Sequence, residues 1–379
     1  MKAIFSFLSV FLILCNLSCS NDDGDGPLSQ DTRSFHMGFT PWPYAATFEA
    51  QDEIYNFINE DADMVAHHLD GGVPWLESLT EDNFENYGDN LKNEILGRVN
   101  QTNNMQNKTV YLGVSPFNNL RDSIALYWNT STNQSLPSPW DGYSISNNAI
   151  ISAYTNFVDE LIKQFDPDYI NYAIEANEFY HNVPSERSEL IIFLSSVYNE
   201  LKNRYPNKNF MVSFAMSSPG STKMNETAEF FNLAHDFIDI VGISIYPYAF
   251  YSHANKGNPE NLPVDWISQI EIIAPNKPYF VAETGFLGES LAIPAFGLDV
   301  TSNEDRQAAY LDILFEEMED LGTLGVVWFS AYDFDDLWSN LLNDNLSLIW
   351  RDTGLKDGNQ NPRKALDTWN ERLSYSKDQ

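Results

Sequence analysis

The chain is predicted to be an α/β protein folding as a single (β/α)8 barrel. Three observations carry this. Eight short apolar segments alternate strictly with eight amphipathic ones. Eight such units fit the length of one barrel domain. No Gly-rich phosphate turn follows the first apolar segment, which disfavours a doubly wound sheet.

The expected strands are SFHMGF (34–39), ADMVAHH (62–68), TVYLGVS (109–115) and YINYAIEA (169–176), then NFMVSFAM (209–216), DIVGISIY (239–246), PYFVAET (278–284) and GVVWFSA (325–331). Helical periodicity places helices near 47–59, 88–101, 148–165, 185–204, 226–236, 264–273, 303–321 and 363–374. No repeat interrupts the pattern.

Residues 1–18 read as a signal peptide. Lys2 is their only charge, and the apolar run from Ala3 to Leu17 is too short to span a membrane. Ser18-Cys19 resembles a lipoprotein cleavage box, although Asn16 and Leu17 replace the usual Leu and small residue. That resemblance implies a lipid on Cys19, with Cys15 removed. No thiol then remains for a disulfide, a Cys-zinc site or a nucleophile. Residues 19–33 read as an acidic tether, and Asp22, Asp23 and Asp25 resemble the surface-export signal of Bacteroidetes lipoproteins. The expected catalytic domain is 34–379, held to the outer membrane only by its lipid, at the cell surface.

Formal net charge is −33, with 21 Lys and Arg in 379 residues. So negative a surface disfavours nucleic acid and anionic lipid, and speaks against polyanionic substrates. A neutral polysaccharide suits it better. Aromatic content of 14%, with 9 Trp and 19 Tyr, suits stacking on sugar rings. Trp42, Trp75, Trp140 and Trp338, in loops, suggest an extended aromatic cleft and endo action.

Barrel sites lie at the C-terminal ends of the strands. Glu178 follows strand four in YINYAIEANE, and Glu283 ends strand seven in PYFVAET. Two carboxylates facing each other across the mouth are what glycoside hydrolysis uses. Glu175 also lies there, but strand alternation turns it to the opposite side from Glu178. His67 and His68 end strand two on opposite faces, and His68 is nearer the mouth, placed to donate to a sugar hydroxyl. No third His converges on them, so no metal is expected. Tyr246, at the end of strand six, is placed to bond Glu283 and keep it ionised. Trp42 and Trp75 are candidates to line subsites. Asp70, His36, Asn118 and Asn119 rank lower, and Asp333, Asp335 and Asp336 lack the spacing of a calcium loop.

Asn177-Glu178 after strand four and Glu283-Thr284-Gly285 after strand seven resemble the clan A glycoside hydrolases. GISIYPY (242–248) and AETGF (282–286) are most similar to endo-acting members such as the family 53 galactanases and β-1,3-glucanase families. The resemblance implies a retaining β-glycosidase, with Glu178 as acid/base, Asn177 on the sugar 2-hydroxyl and Glu283 as nucleophile. It also implies Trp328 as a platform beneath the cleaved sugar. Strand three lacks the terminal Arg of some clan members. The expectation is a monomeric, cofactor-free endo-β-glycosidase acting on a β-glucan or β-galactan. The alternative is a non-catalytic glycan-binding lipoprotein, which has no need of two strand-end carboxylates.

Overall fold

The structure, a computed structural model, describes residues 32–81 and 84–378. The expected signal peptide, lipidation at Cys19 and nearly all of the tether lie outside them. Eight parallel strands form a closed barrel, as the alternation predicts. They are β1 (His36–Phe39), β2 (Met64–Leu69), β3 (Thr109–Val114), β4 (Tyr169–Ala173), β5 (Phe210–Ala215), β6 (Ile240–Ile245), β7 (Tyr279–Thr284) and β8 (Gly325–Trp328). Each pairs with the next, and β8 closes on β1 with Val326 opposite Met37.

The main outer helices are α1 (Phe48–Asp61), α2 (Asp89–Asn104) and α3 (Asn148–Phe165). After β4 come the short α4 (Ala176–Asn182) and the longer α5 (Arg187–Arg204), then α6 (Thr222–Ala234). Later elements are α7 (Pro247–Phe250), α8 (Ile270–Ile273), α9 (Glu304–Leu321), α10 (Asp335–Leu337) and α11 (Lys364–Leu373). Side-chain caps start several of them where the sequence changes character. Thr47 accepts from Ala50 N–H, Ser221 from Met224 N–H and Asn303 from Arg306 N–H.

Two expectations about elements need correction. The helix expected over 264–273 is mostly turns, with only Ile270–Ile273 helical. Glu317 of α9 accepts the N–H groups of both Ile267 and Ser268, which anchors that segment from outside. The second correction is that β4 ends at Ala173 rather than 176, and this relocates a glutamate.

Two apolar layers stabilise the fold. Inside the barrel, Met64, Ala66, Tyr111, Met211, Ile240, Phe280, Ala282 and Val327 fill the lumen, with Tyr111 stacked on Phe280 at 5.3 Å between centroids. The outward residues Val65, Leu112, Val212 and Val281 join the helices in the larger layer. A plugged lumen leaves the C-terminal rim as the place for a site.

Candidate active site

Strand geometry aims the first side chains. On β2, Met64 and Ala66 face the lumen, so alternation turns His68 inward at the rim. His67 points out and bonds Thr102 Oγ1 at 2.8 Å. On β7, Phe280 and Ala282 face inward, so alternation alone would turn Glu283 out alongside Val281. A register shift intervenes: Ile243 pairs with Val281 but Ser244 with Glu283. That irregularity re-aims Glu283 into the rim cavity.

The end of β4 decides the second carboxylate. Glu175 adopts left-handed backbone, φ 51° and ψ 43°. A non-glycine residue there costs about 1–2 kcal/mol, and such outliers gather at functional sites. Ser213 Oγ accepts the Glu175 N–H at 2.9 Å, and the Glu175 carbonyl accepts the Glu178 N–H at 2.9 Å, starting α4. The turn delivers the Glu175 side chain to the cavity. It carries Glu178 into the first turn of α4, where Oε2 lies 2.7 Å from Lys223 Nζ on α6. Glu178 is not among the cavity-lining residues. The expected pairing of Glu178 with Glu283 is therefore corrected to Glu175 with Glu283. The alternation argument that set Glu175 aside fails because the strand has already ended.

The cavity is about 220 Å³. Thr40 and Trp42 come from the segment after β1, His68 and Asp70 from the end of β2, and Arg98 from α2. The loop after β3 supplies Asn119 and Arg121, and the segment after β8 supplies Phe329, Phe334 and Trp350. Trp42 packs against Phe329 and Phe334 at 5.7 and 6.0 Å. The indole N–H groups of Trp42 and Trp350 have no protein acceptor among the described residues.

Each carboxylate has its own partner. The Tyr246 hydroxyl donates to Glu283 Oε1 from beneath. Arg121 Nη2 lies 3.2 Å from Glu175 Oε2. Burial pushes the Glu283 carboxyl up to about 8, and the nearby Glu175 charge pushes the same way. The Tyr246 hydrogen bond and the Arg121 charge oppose that rise. Two mutually repelling carboxylates titrate as a pair, and this pair holds one proton near neutrality. Burial pulls His68 down to about 4, so its ring is neutral at pH 7. Its Nδ1 is 3.0 Å from Thr40 Oγ1.

The remaining sequence candidates divide. His68 and Trp42 line the cavity, and Tyr246 supports Glu283 from just outside it. Asn177 does not reach the cavity. Its amide bonds the Ala215 carbonyl and Thr227 Oγ1, and its oxygen accepts the Ala215 N–H at 2.8 Å, which ties α4 to β5. Trp328 is fully buried with Nε1 on the Thr353 carbonyl at 3.0 Å; its neighbour Phe329 is the residue at the cavity wall. Trp75 is buried against Trp140 and donates to the Ala125 carbonyl. His36 opens β1 beside Tyr169, the first residue of β4, so it lies at the opposite end of the barrel. Asp333 and Asp335 gather with Asp352 rather than Asp336, and arginines meet them: Arg363 on Asp333, Arg351 on Asp335 and Asp352.

Arg121, Arg98, Trp350 and Phe334 are the residues sequence reasoning missed. Arg121 lies well along the loop after β3, whereas the search was for an Arg at the strand's end. Its signal was a basic residue, in NNLRD, among so few in the chain.

No family model matches the chain, and no curated protein matches it. Solved structures do resemble it. The exo-β-1,4-mannosidase Op5Man5 from Opitutaceae bacterium strain TAV5 superposes with a TM-score of 0.61 at 11% identity, covering 90% of this chain and 59% of that one. Xylanase 10B from Thermotoga maritima gives 0.57 at 12%, covering 90% and 95%. The Ignisphaera aggregans GH53 catalytic domain gives 0.56 at 15%, covering 90% and 97%. This chain thus spans under two thirds of the mannosidase and nearly all of the other two. At these identities the likeness is one of fold: a closed (β/α)8 barrel of the kind clan A glycoside hydrolases use.

Proposed function

We propose that this protein is a retaining glycoside hydrolase acting on a neutral β-linked glycan. Glu283 is the nucleophile and Glu175 the acid/base. One observation carries the reading: two carboxylates from β7 and the end of β4, nearly across the ring from each other, enter one aromatic-walled cavity, each with its own polar partner. The fold shared with a mannosidase, a xylanase and a family 53 domain supports it.

The chemistry follows from that arrangement. Glu283 Oε attacks the anomeric carbon while Glu175 gives its proton to the departing oxygen. The glycosyl–oxygen bond breaks as the ester to Glu283 forms. Glu175, now ionised, takes a proton from water, and the resulting hydroxide equivalent displaces Glu283 with a second inversion. The Tyr246 hydroxyl favours the charged form of the nucleophile. Arg121 holds the Glu175 carboxylate once its proton has left. Neutral His68 and the unpaired indole N–H groups of Trp42 and Trp350 are suited to sugar oxygens. Phe329 and Trp42 offer flat apolar faces to the ring.

Cavity charge supports a neutral substrate. Arg98 and Arg121 face Asp70, Glu175 and Glu283, and the proton shared by the glutamates brings the formal sum to zero. The case for endo action weakens, because only Trp42 of the four aromatics behind it lines the cavity. Attachment to the outer membrane through Cys19 belongs to the proposal on sequence grounds, and mass spectrometry of the mature N-terminus tests it. The function is tested with a panel of aryl β-glycosides and neutral β-glycans, following released sugar and product anomer. Retention of configuration supports the reading. Binding without turnover across the panel would replace it with the glycan-binding alternative.

A further inference from the structure

A second cavity of about 380 Å³ lies on the far side of Trp42. It shares Pro41, Trp42 and Arg98 with the catalytic cavity, so the two are continuous through that wall. Its other walls come from the segment after β1, from α1 and α2, and from the stretch beyond β8. It therefore sits over β8, β1 and β2, whereas Glu175 follows β4 across the barrel. The leaving group must touch the acid. A ligand part reaching behind Trp42 is thus attached to the glycone, the sugar that Glu283 captures.

The composition of this cavity is not that of a sugar subsite. Leu337, Leu341, Leu342, Phe48, Pro43 and Ala45 supply hydrocarbon. Phe48 is 85% exposed and Leu341 63%, large apolar groups left in water at the rim. The polar groups present are largely committed. Thr47 Oγ accepts the Ala50 N–H, Glu94 accepts Arg98 Nε at 2.7 Å, and Arg98 Nη1 donates to the His68 carbonyl. A pyranose here would leave hydroxyls poorly met, whereas an alkyl or aryl group loses nothing and removes apolar surface from water.

We propose that the cavity behind Trp42 receives an acyl group, aliphatic or aromatic, esterified to the glycone sugar. The substrate class is accordingly an acyl-decorated neutral glycan, cleaved with its ester in place. This rests on the glycosidase reading above. The ester itself takes no part in the reaction; it supplies binding on the side away from the leaving group.

The test uses aryl β-glycosides of whichever sugar the protein hydrolyses, monoesterified in turn at each glycone hydroxyl with acetyl, butyryl or hexanoyl. At one position kcat/KM should rise about twofold per methylene, the value for a partly buried chain, and so roughly tenfold from acetyl to hexanoyl. Leu341→Asp should flatten that slope. Calorimetry on Glu283→Gln with the free sugar esters reads the cavity without turnover, and affinity should climb with chain length there too. Rates and affinities independent of chain length at every position would overturn the proposal while leaving the glycosidase reading intact. An equal loss by Leu341→Asp on an unesterified oligosaccharide would make the cavity a sugar subsite and also overturn it. Should no aryl glycoside be cleaved, the glycosidase reading fails, and the calorimetry still decides whether acyl sugars bind behind Trp42.

Discussion

Arg121 Nη2 lies 3.2 Å from Glu175 Oε2, a cation from the loop after β3 placed on a carboxylate held in left-handed backbone. Both side chains are largely buried, so the contact is poorly screened. The Arg121 charge also opposes the rise of the Glu283 carboxyl. Arg121→Gln should therefore make the shared proton harder to lose. We expect the alkaline limb of kcat/KM to move to higher pH and kcat to fall about 10- to 100-fold. Lys223→Gln, which frees Glu178 instead, should leave the profile in place. A pH titration of both variants on one aryl glycoside checks this.

Three glutamine substitutions separate the candidate carboxylates. Glu283→Gln and Glu175→Gln should each lower turnover of an unactivated glycan by about three orders of magnitude or more. Glu178→Gln should stay within about threefold of the parent, because its partner is Lys223 outside the cavity. Near-normal turnover by Glu175→Gln, with loss in Glu178→Gln, would return the acid/base role to Glu178.

Azide distinguishes acid/base from nucleophile. With an activated aryl glycoside, Glu175→Gln should show a burst followed by slow turnover. Added azide should speed the second step and yield a β-glycosyl azide, since a small anion replaces the water that Glu175 no longer activates. Any azide product from Glu283→Gln should be the opposite anomer. NMR of the products decides the assignment.

Tyr246 and Glu283 make a pH prediction of their own. The Tyr246 hydroxyl lowers the Glu283 carboxyl, so Tyr246→Phe should raise the proton affinity of the pair. The acid limb of kcat/KM should then shift to higher pH and kcat should fall, read from full pH profiles of both proteins.

Glu283 is also expected to cost stability. Its folded-state carboxyl sits at about 8, above its ordinary value near 4.5. Between those values the folded state binds more protons than the unfolded one, so stability falls as pH rises through that window. Glu283→Gln removes the penalty. Its Tm should exceed the parent's by about 2–4 °C at pH 8, with the gap closing towards pH 4. Calorimetry at the two pH values measures it.

The alternation of apolar and amphipathic segments was enough to predict the barrel, because each strand–helix unit writes its own period into the chain. Seven of the eight helices follow their periodicity to within a few residues. Glu283 and Tyr246 were also legible, since each ends an apolar run whose rim position follows from the fold class. Side-chain destinations beyond the strand ends were not. Glu175 reaches the cavity through a left-handed residue and the Ser213 hydroxyl of a neighbouring strand, and Glu283 turns inward through a register shift against β6. Trp328, Trp75 and Asn177 found buried partners that lie far along the chain, which left Phe329, Trp350 and Arg121 to line the rim. Periodicity records which face of an element is apolar. Where an element stops, and which distant group receives its last side chain, is set by contacts between segments that only the closed barrel brings together.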